Sequence, residues 1–230
     1  MASPTPPATP HHALRADAER NRQLILETAR RAFAERGLGV RLDEIAQEAG
    51  IGIGTVYRRF KNKDELVHAL FEHAMDEVVE LADECLAQDG EGTGLRRFFE
   101  GALRLMASDR GLRQLLTGIP NASVELATLG RRRIEPRVTR LAANAHAAGR
   151  LRCDLGADDL PVVQLMLTAA MEATEPVQPD MWERYATLVL DALEPGLDNR
   201  PLPGRQPTGD EVQVVIERWR SQPRAPGARS

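Results

Sequence analysis

Between Asp17 and Glu194 the apolar residues recur every third or fourth position, and nowhere in that span do they alternate strictly between hairpin turns. A chain with that one period can bury its apolar stripes only by packing helix against helix, so the fold class is all-α. Ile25, Leu26, Ala29 and Phe33 mark a first helix that Gly37 stops after Arg36. Leu42, Ile45, Ala46 and Ala49 mark a short second helix broken by Gly50, and Ile53 to Phe60 a short third. A longer fourth opens at Asn62, where Asn62 and Glu65 can cap reciprocally. It runs through Leu66, Leu70, Ala74, Val78, Ala82 and Cys85 to the glycines at 90–94.

Further periodic stretches cover Leu95 to Ala107, Gly111 to Thr117, Val124 to Ala148, Ala157 to Thr174 and Asp180 to Leu193. Pro136 is expected to kink or divide its stretch, whereas Pro161 suits a first helical turn, where its missing N–H costs nothing. Residues 1–16 are expected as a flexible tail. After Pro195 the chain turns to Pro, Gly and Arg, so 196–230 is expected to be mostly flexible as well, with one helical patch near Glu211 to Trp219.

At 230 residues and 42% hydrophobic content the chain can build its core without disulfides. Cys85 and Cys153 belong to no close-spaced Cys/His cluster, which points to a reducing cytosol and to no structural zinc. The first dozen residues lack the basic start and apolar centre of a signal peptide, and no apolar run approaches the roughly 18 residues of a membrane span. A cytoplasmic protein without a membrane partner is expected. Met1 to Lys63 carries 11 Lys and Arg against 7 Asp and Glu, or +4, while the remainder is −8. A basic first quarter on an acidic body hints at a polyanion partner, although a solvated surface gives the same count.

The second and third helices meet through Gly50-Ile51-Gly52, with Ile45, Ala46, Ile51 and Val56 as their apolar seam. The small Ala46 lets the helices approach and Gly50 permits the sharp turn, which is the physics of a helix-turn-helix whose second helix enters the major groove. No catalytic, cofactor or metal site is expected. Glu65-Leu66-Val67-His68 is one Glu-x-x-His, but the second copy that a di-iron bundle enzyme needs is missing, and there is no Gly-x-Ser-x-Gly, phosphate loop or nucleotide fingerprint.

The run from Gly54 to Leu66, GTVYRRFKNKDEL, joins Asp43 to Ile51, DEIAQEAGI, and the opening ILETA and FAERG at 25–29 and 33–37. Together these motifs, within Arg22 to Leu66, closely resemble the tetracycline-repressor (TetR) family of bacterial transcription regulators. The resemblance implies that 17–62 is a three-helix DNA-binding unit and 63–195 a helical bundle for ligand binding and dimerisation. Its implied partners are double-stranded operator DNA, a small-molecule effector and a second copy of the chain.

Carried over residue by residue, the resemblance implies DNA contacts from Arg41, Gly54, Thr55, Tyr57, Arg58, Arg59, Lys61 and Lys63. Tyr57 can pack its ring on the seam and donate to a phosphate, and Lys63 adds an ammonium to the backbone N–H groups of a helix start. The departures lie at Arg41, where the family usually carries a capping Ser or Thr, and at Gly52, often polar. Base readout then leans on Thr55, Arg58, Arg59 and Arg41, with Ile53 against a thymine methyl.

For the second domain, Leu160, Val163, Leu167 and Ala170 on one helix and Met181, Tyr185, Leu188 and Ala192 on the next have the spacing of a dimer-forming helix pair, or equally of a monomer core. Candidate pocket liners are Phe98, Phe99, Leu103, Met106, Leu116, Met166, Met171 and Trp182. Gln164, Thr168 and Glu172 form a polar stripe that orients a ligand, Glu172 favouring a cation, if it faces a cavity, and does nothing if it faces water. The expected function is transcriptional repression that a small apolar effector relieves. The alternative is a DNA-binding dimer whose second domain serves only dimerisation or a protein partner.

Overall fold

The computed structural model describes residues 10–37, 39–109, 112–113, 124–196 and 199–221. Among them the regular elements are helices and no strand occurs. They are α1 (Pro10–Arg36), α2 (Leu42–Glu48), α3 (Ile53–Arg59), α4 (Lys63–Ala87), α5 (Gly94–Ser108), α6 (Val124–Ala147), α7 (Leu160–Thr174), α8 (Trp182–Leu193) and α9 (Gly209–Ser221). Most of the stretch Gly111 to Thr117 lies outside the described residues.

The head is α1 to α3, closed around Ile25, Phe33, Ile45 and Val56, all fully buried. Its turn follows from one glycine. Gly50 takes φ +66, a left-handed backbone that side chains resist. This lets the Gly50 amide donate to the Gln47 carbonyl at 3.2 Å and the Ile51 amide to the Ala46 carbonyl at 3.0 Å. That pair satisfies the orphan carbonyls at the end of α2 and aims the chain into α3.

The body is built on α4. Helix α6 advances beside it in the same direction: Arg133 meets Asp76 at 2.6 Å, and Arg137 clasps Asp83 through both carboxylate oxygens at 2.8 and 2.9 Å. Those two ion pairs flank Pro136, and α6 runs through that proline undivided. Proline removes one helical hydrogen bond there, and the tertiary ties on either side hold the helix together. Helix α5 crosses α4, α7 pairs with α8, and Pro161 sits in the first turn of α7.

Two boundaries differ from the sequence expectation. Helix α1 starts at Pro10, so a tail ending at residue 16 overlaps its first turns; Pro10 lacks an N–H that a helix start leaves unpaired anyway. The C-terminal segment is not a loose tail over its described length. Arg152 donates to the Arg200 carbonyl at 2.7 Å, Asp154 accepts from the Leu202 amide at 2.9 Å, and α9 packs on α7 with Val212 only 5% exposed.

The dimer stripe also divides. Leu160, Val163 and Leu167 belong to the core of the single chain, whereas Tyr185 and Leu188 are exposed, as is Met166 on the far side of α7. Cys85 is buried and Cys153 exposed, both as free thiols, and burial pushes the Cys85 thiol up.

Candidate functional site

Helix α3 presents one continuous exposed face. Gly52 precedes it without a capping side chain, and the Gly52 carbonyl takes the Thr55 amide at 2.8 Å and the Val56 amide at 3.3 Å. Val56 turns inward, which leaves Ile53, Gly54, Tyr57, Arg58 and Arg59 exposed and Thr55 half-buried. Neither Arg58 nor Arg59 pairs with a carboxylate among the described residues, so two guanidinium groups stand open at the end of this helix.

Tyr57 is 47% exposed, and its hydroxyl donates to Asp43 at 3.3 Å. Arg41 precedes α2 with its guanidinium 3.4 Å from Asp43 and no side-chain cap. Half of a cap survives, because Glu44 accepts from the Arg41 amide at 3.3 Å. An acidic Asp43 thus sits between two groups expected to meet phosphate.

At the start of α4, Asn62 accepts from the Glu65 amide at 2.8 Å, but Glu65 accepts from the Lys61 amide, also at 2.8 Å. The reciprocal cap is shifted by one residue. It fixes the backbone that carries Lys61, whose side chain is 85% exposed, and Lys63, whose ammonium stands 5.9 Å from the centre of the Phe33 ring. Arg41, Gly54, Tyr57, Arg58, Arg59, Lys61 and Lys63 therefore come from three consecutive helix starts and turns of the head.

The body holds a cavity of about 270 Å³. Of the expected liners it brings together Phe98, Phe99 and Met106, one face of α5. The others fall elsewhere. Met166 is 52% exposed, half a turn from Gln164 and thus on the opposite side of α7. Leu103, Met171 and Trp182 are buried in the core without reaching the cavity, Met171 because it lies past the end of the void along α7. Glu172 is half-buried beyond the same end, and Leu116 lies outside the described residues.

Gln164 and Thr168 do line the cavity, and the Thr168 hydroxyl donates to the Gln164 carbonyl at 2.9 Å. Sequence reading missed Phe71, Met75 and Val78, which make α4 itself a wall. Their spacing of four and three was the available signal.

Residues 25–70, from α1 into the start of α4, match the family of bacterial regulatory proteins of the tetR type, and residues 90–195 match the C-terminal domain of SbtR-like transcriptional regulators. Over 64 residues the chain is 42% identical to an HTH-type transcriptional regulator of Staphylococcus aureus, spanning 35% of that protein's length. A TetR transcription regulatory protein from Mycobacterium vanbaalenii is 33% identical with a TM-score of 0.56, over 79% of this chain and 99% of that one. The chain belongs to the TetR family. SmeT, the repressor of the Stenotrophomonas maltophilia multidrug efflux pump SmeDEF, is a further TetR-like neighbour. It has 25% identity and a TM-score of 0.55 over 79% of this chain and 97% of that one. The protein is a DNA-binding transcription regulator and not an enzyme, and among its described residues no helix is long and apolar enough to cross a membrane.

Proposed function

We propose that this TetR-family regulator is a cytoplasmic repressor: a homodimer that grips a two-fold related operator with α3 and lets go when a small apolar molecule fills the cavity. One observation supports the reading, namely that α4 begins beside the exposed face of α3 and walls the cavity. It begins at Lys63 on the DNA side, and Phe71, in the cavity wall, stands eight residues on, about 12 Å along the helix axis. A ligand pushing on Phe71 and Met75 tilts the helix that positions the head, and a dimer reading half-sites at fixed separation loses affinity when its recognition helices move.

A second link supports it. Arg30 of α1 meets Glu77 of α4 at 2.5 Å and Asp109 at 2.7 Å, and Asp109 closes α5 three residues after the cavity liner Met106. The head is thereby tied to two walls of the cavity. SmeT, itself a repressor, gives the same direction of control.

Phosphates are taken by Tyr57, Lys61, Lys63 and the α4 start, with Gly54 letting the DNA backbone come close. Base edges are read by Thr55, Arg58, Arg59 and Arg41. The test is to find a stabilising apolar compound by thermal shift and titrate it into an operator complex. Release of DNA is the expected result, and by linkage the operator weakens the compound by the same factor. A compound that fills the cavity and leaves operator affinity unchanged overturns the reading.

A further inference from the structure

The C-terminal match ends at residue 195, and the Mycobacterium vanbaalenii regulator is covered over 99% of its length by 79% of this chain. Helix α9 therefore lies outside the matched family domain, yet Gly209, Val212, Gln213 and Ile216 line the cavity. Local contacts fix its start, and it packs on α7. Thr208 and Glu211 cap α9 reciprocally: Glu211 accepts from the Thr208 amide at 2.9 Å, and the Thr208 hydroxyl accepts from the Glu211 amide at 3.4 Å. Arg205 holds Glu211 by two nitrogens. At Gly209 the nearest neighbour is the guanidinium end of Arg131, so the start of α9 lies against α6.

The charge of the rim bears on what enters. Arg131 is the one basic residue among the described liners, and it is already engaged, by Glu135 at 2.6 Å and by Asp210 at 3.9 Å. Asp158 lines the same mouth. An anionic head group would meet the carboxylates of Glu135 and Asp158 with one committed guanidinium beside them, and removal from water raises the cost of that repulsion. The other polar liners, Thr139, Gln164, Thr168 and Gln213, are uncharged.

We propose that α9 is a wall of the effector site lying beyond the matched family domain, that Val212 and Ile216 select the ligand, and that the ligand is an uncharged apolar molecule rather than a carboxylate of the same length. This rests on the reading of the cavity as an effector site. The full-length protein is titrated with Nile red as the uncharged apolar probe, and 1-decanol and decanoate compete for it at pH 7.5.

Decanol is expected to displace the probe at a concentration at least about tenfold below decanoate. Val212→Ala and Ile216→Ala each weaken Nile red about tenfold, the effect of trimming an apolar contact in a pocket. Ile216→Trp, which keeps the helix docked and fills space, weakens it too, while Val215→Ala on the exposed side of α9 binds as the parent does. Unchanged Nile red affinity in both Ile216 variants, or decanoate competing as well as decanol, overturns the proposal. Nile red that depends on α9 but leaves operator affinity alone sinks the effector reading and not the role of α9. Nile red that releases DNA equally from the parent and every α9 variant does the reverse.

Discussion

Asp43 is a carboxylate placed where the surroundings prepare for phosphate. It engages the Tyr57 hydroxyl and the Arg41 guanidinium, so both must give up or share that partner when DNA arrives. Asp43→Asn removes one negative charge beside the backbone, and affinity should rise about fivefold on every sequence, since an exposed charge pair at contact distance is worth about 1 kcal/mol. Tyr57→Phe and Lys63→Ala should weaken all sequences alike, and Lys63→Ala should flatten the salt dependence by about 0.9. Thr55 and Arg58 substitutions should instead change which base pairs are preferred. Fluorescence anisotropy across a salt series on operator and scrambled duplexes separates the two classes, and an Asp43→Asn protein that binds more weakly would contradict the placement.

At the scale of elements, the head was open to sequence reading because its cues are local. Gly50 needs a left-handed backbone, Val56 needs a seam, and Asn62 needs an amide to cap, each satisfied within a few residues. The body yields less, because helical period says which face is buried and not against what. Phe98, Leu103 and Met171 look equivalent in a sequence, and only the crossing of α5, α6 and α7 decides that the first faces a void and the other two a packed core. Helix α9 was legible in part: Thr208 and Glu211 stand three apart, the spacing of a capping box, but a Pro- and Gly-rich approach masks it. The same cap sets a pH response. Arg205, then the Thr208 amide, hold the Glu211 carboxylate down to about 2 from an ordinary 4.5. A depressed carboxylate stabilises above its unfolded value, so the N-terminal cap of α9 should be intact at neutral pH and should weaken as pH falls from about 4.5 toward about 2. Hydrogen exchange of 209–221, followed against pH in the parent and in Glu211→Gln, checks it. The variant should exchange faster at neutral pH and lose most of the dependence.

For the molecule as a whole, one short recognition helix per chain gives too little base contact alone, so operator binding should require two copies. Leu188, 66% exposed, and Tyr185 on α8 and Met166 on the α7 that pairs with it are apolar side chains that the single chain leaves bare. Leu188→Glu should give monomers by analytical ultracentrifugation at micromolar concentration, with operator affinity lost and the melting temperature little changed; a dimer that persists places the interface elsewhere. Among 30 basic residues only Lys61 and Lys63 are lysine, and both stand at the junction of head and body. A lysine-specific endoprotease therefore has two peptide bonds to hydrolyse in this chain, and the first cut severs α3 from α4. Operator DNA should shield those bonds and a released effector complex should expose them again, so the length of the fragments on a gel reports whether the regulator is on its DNA.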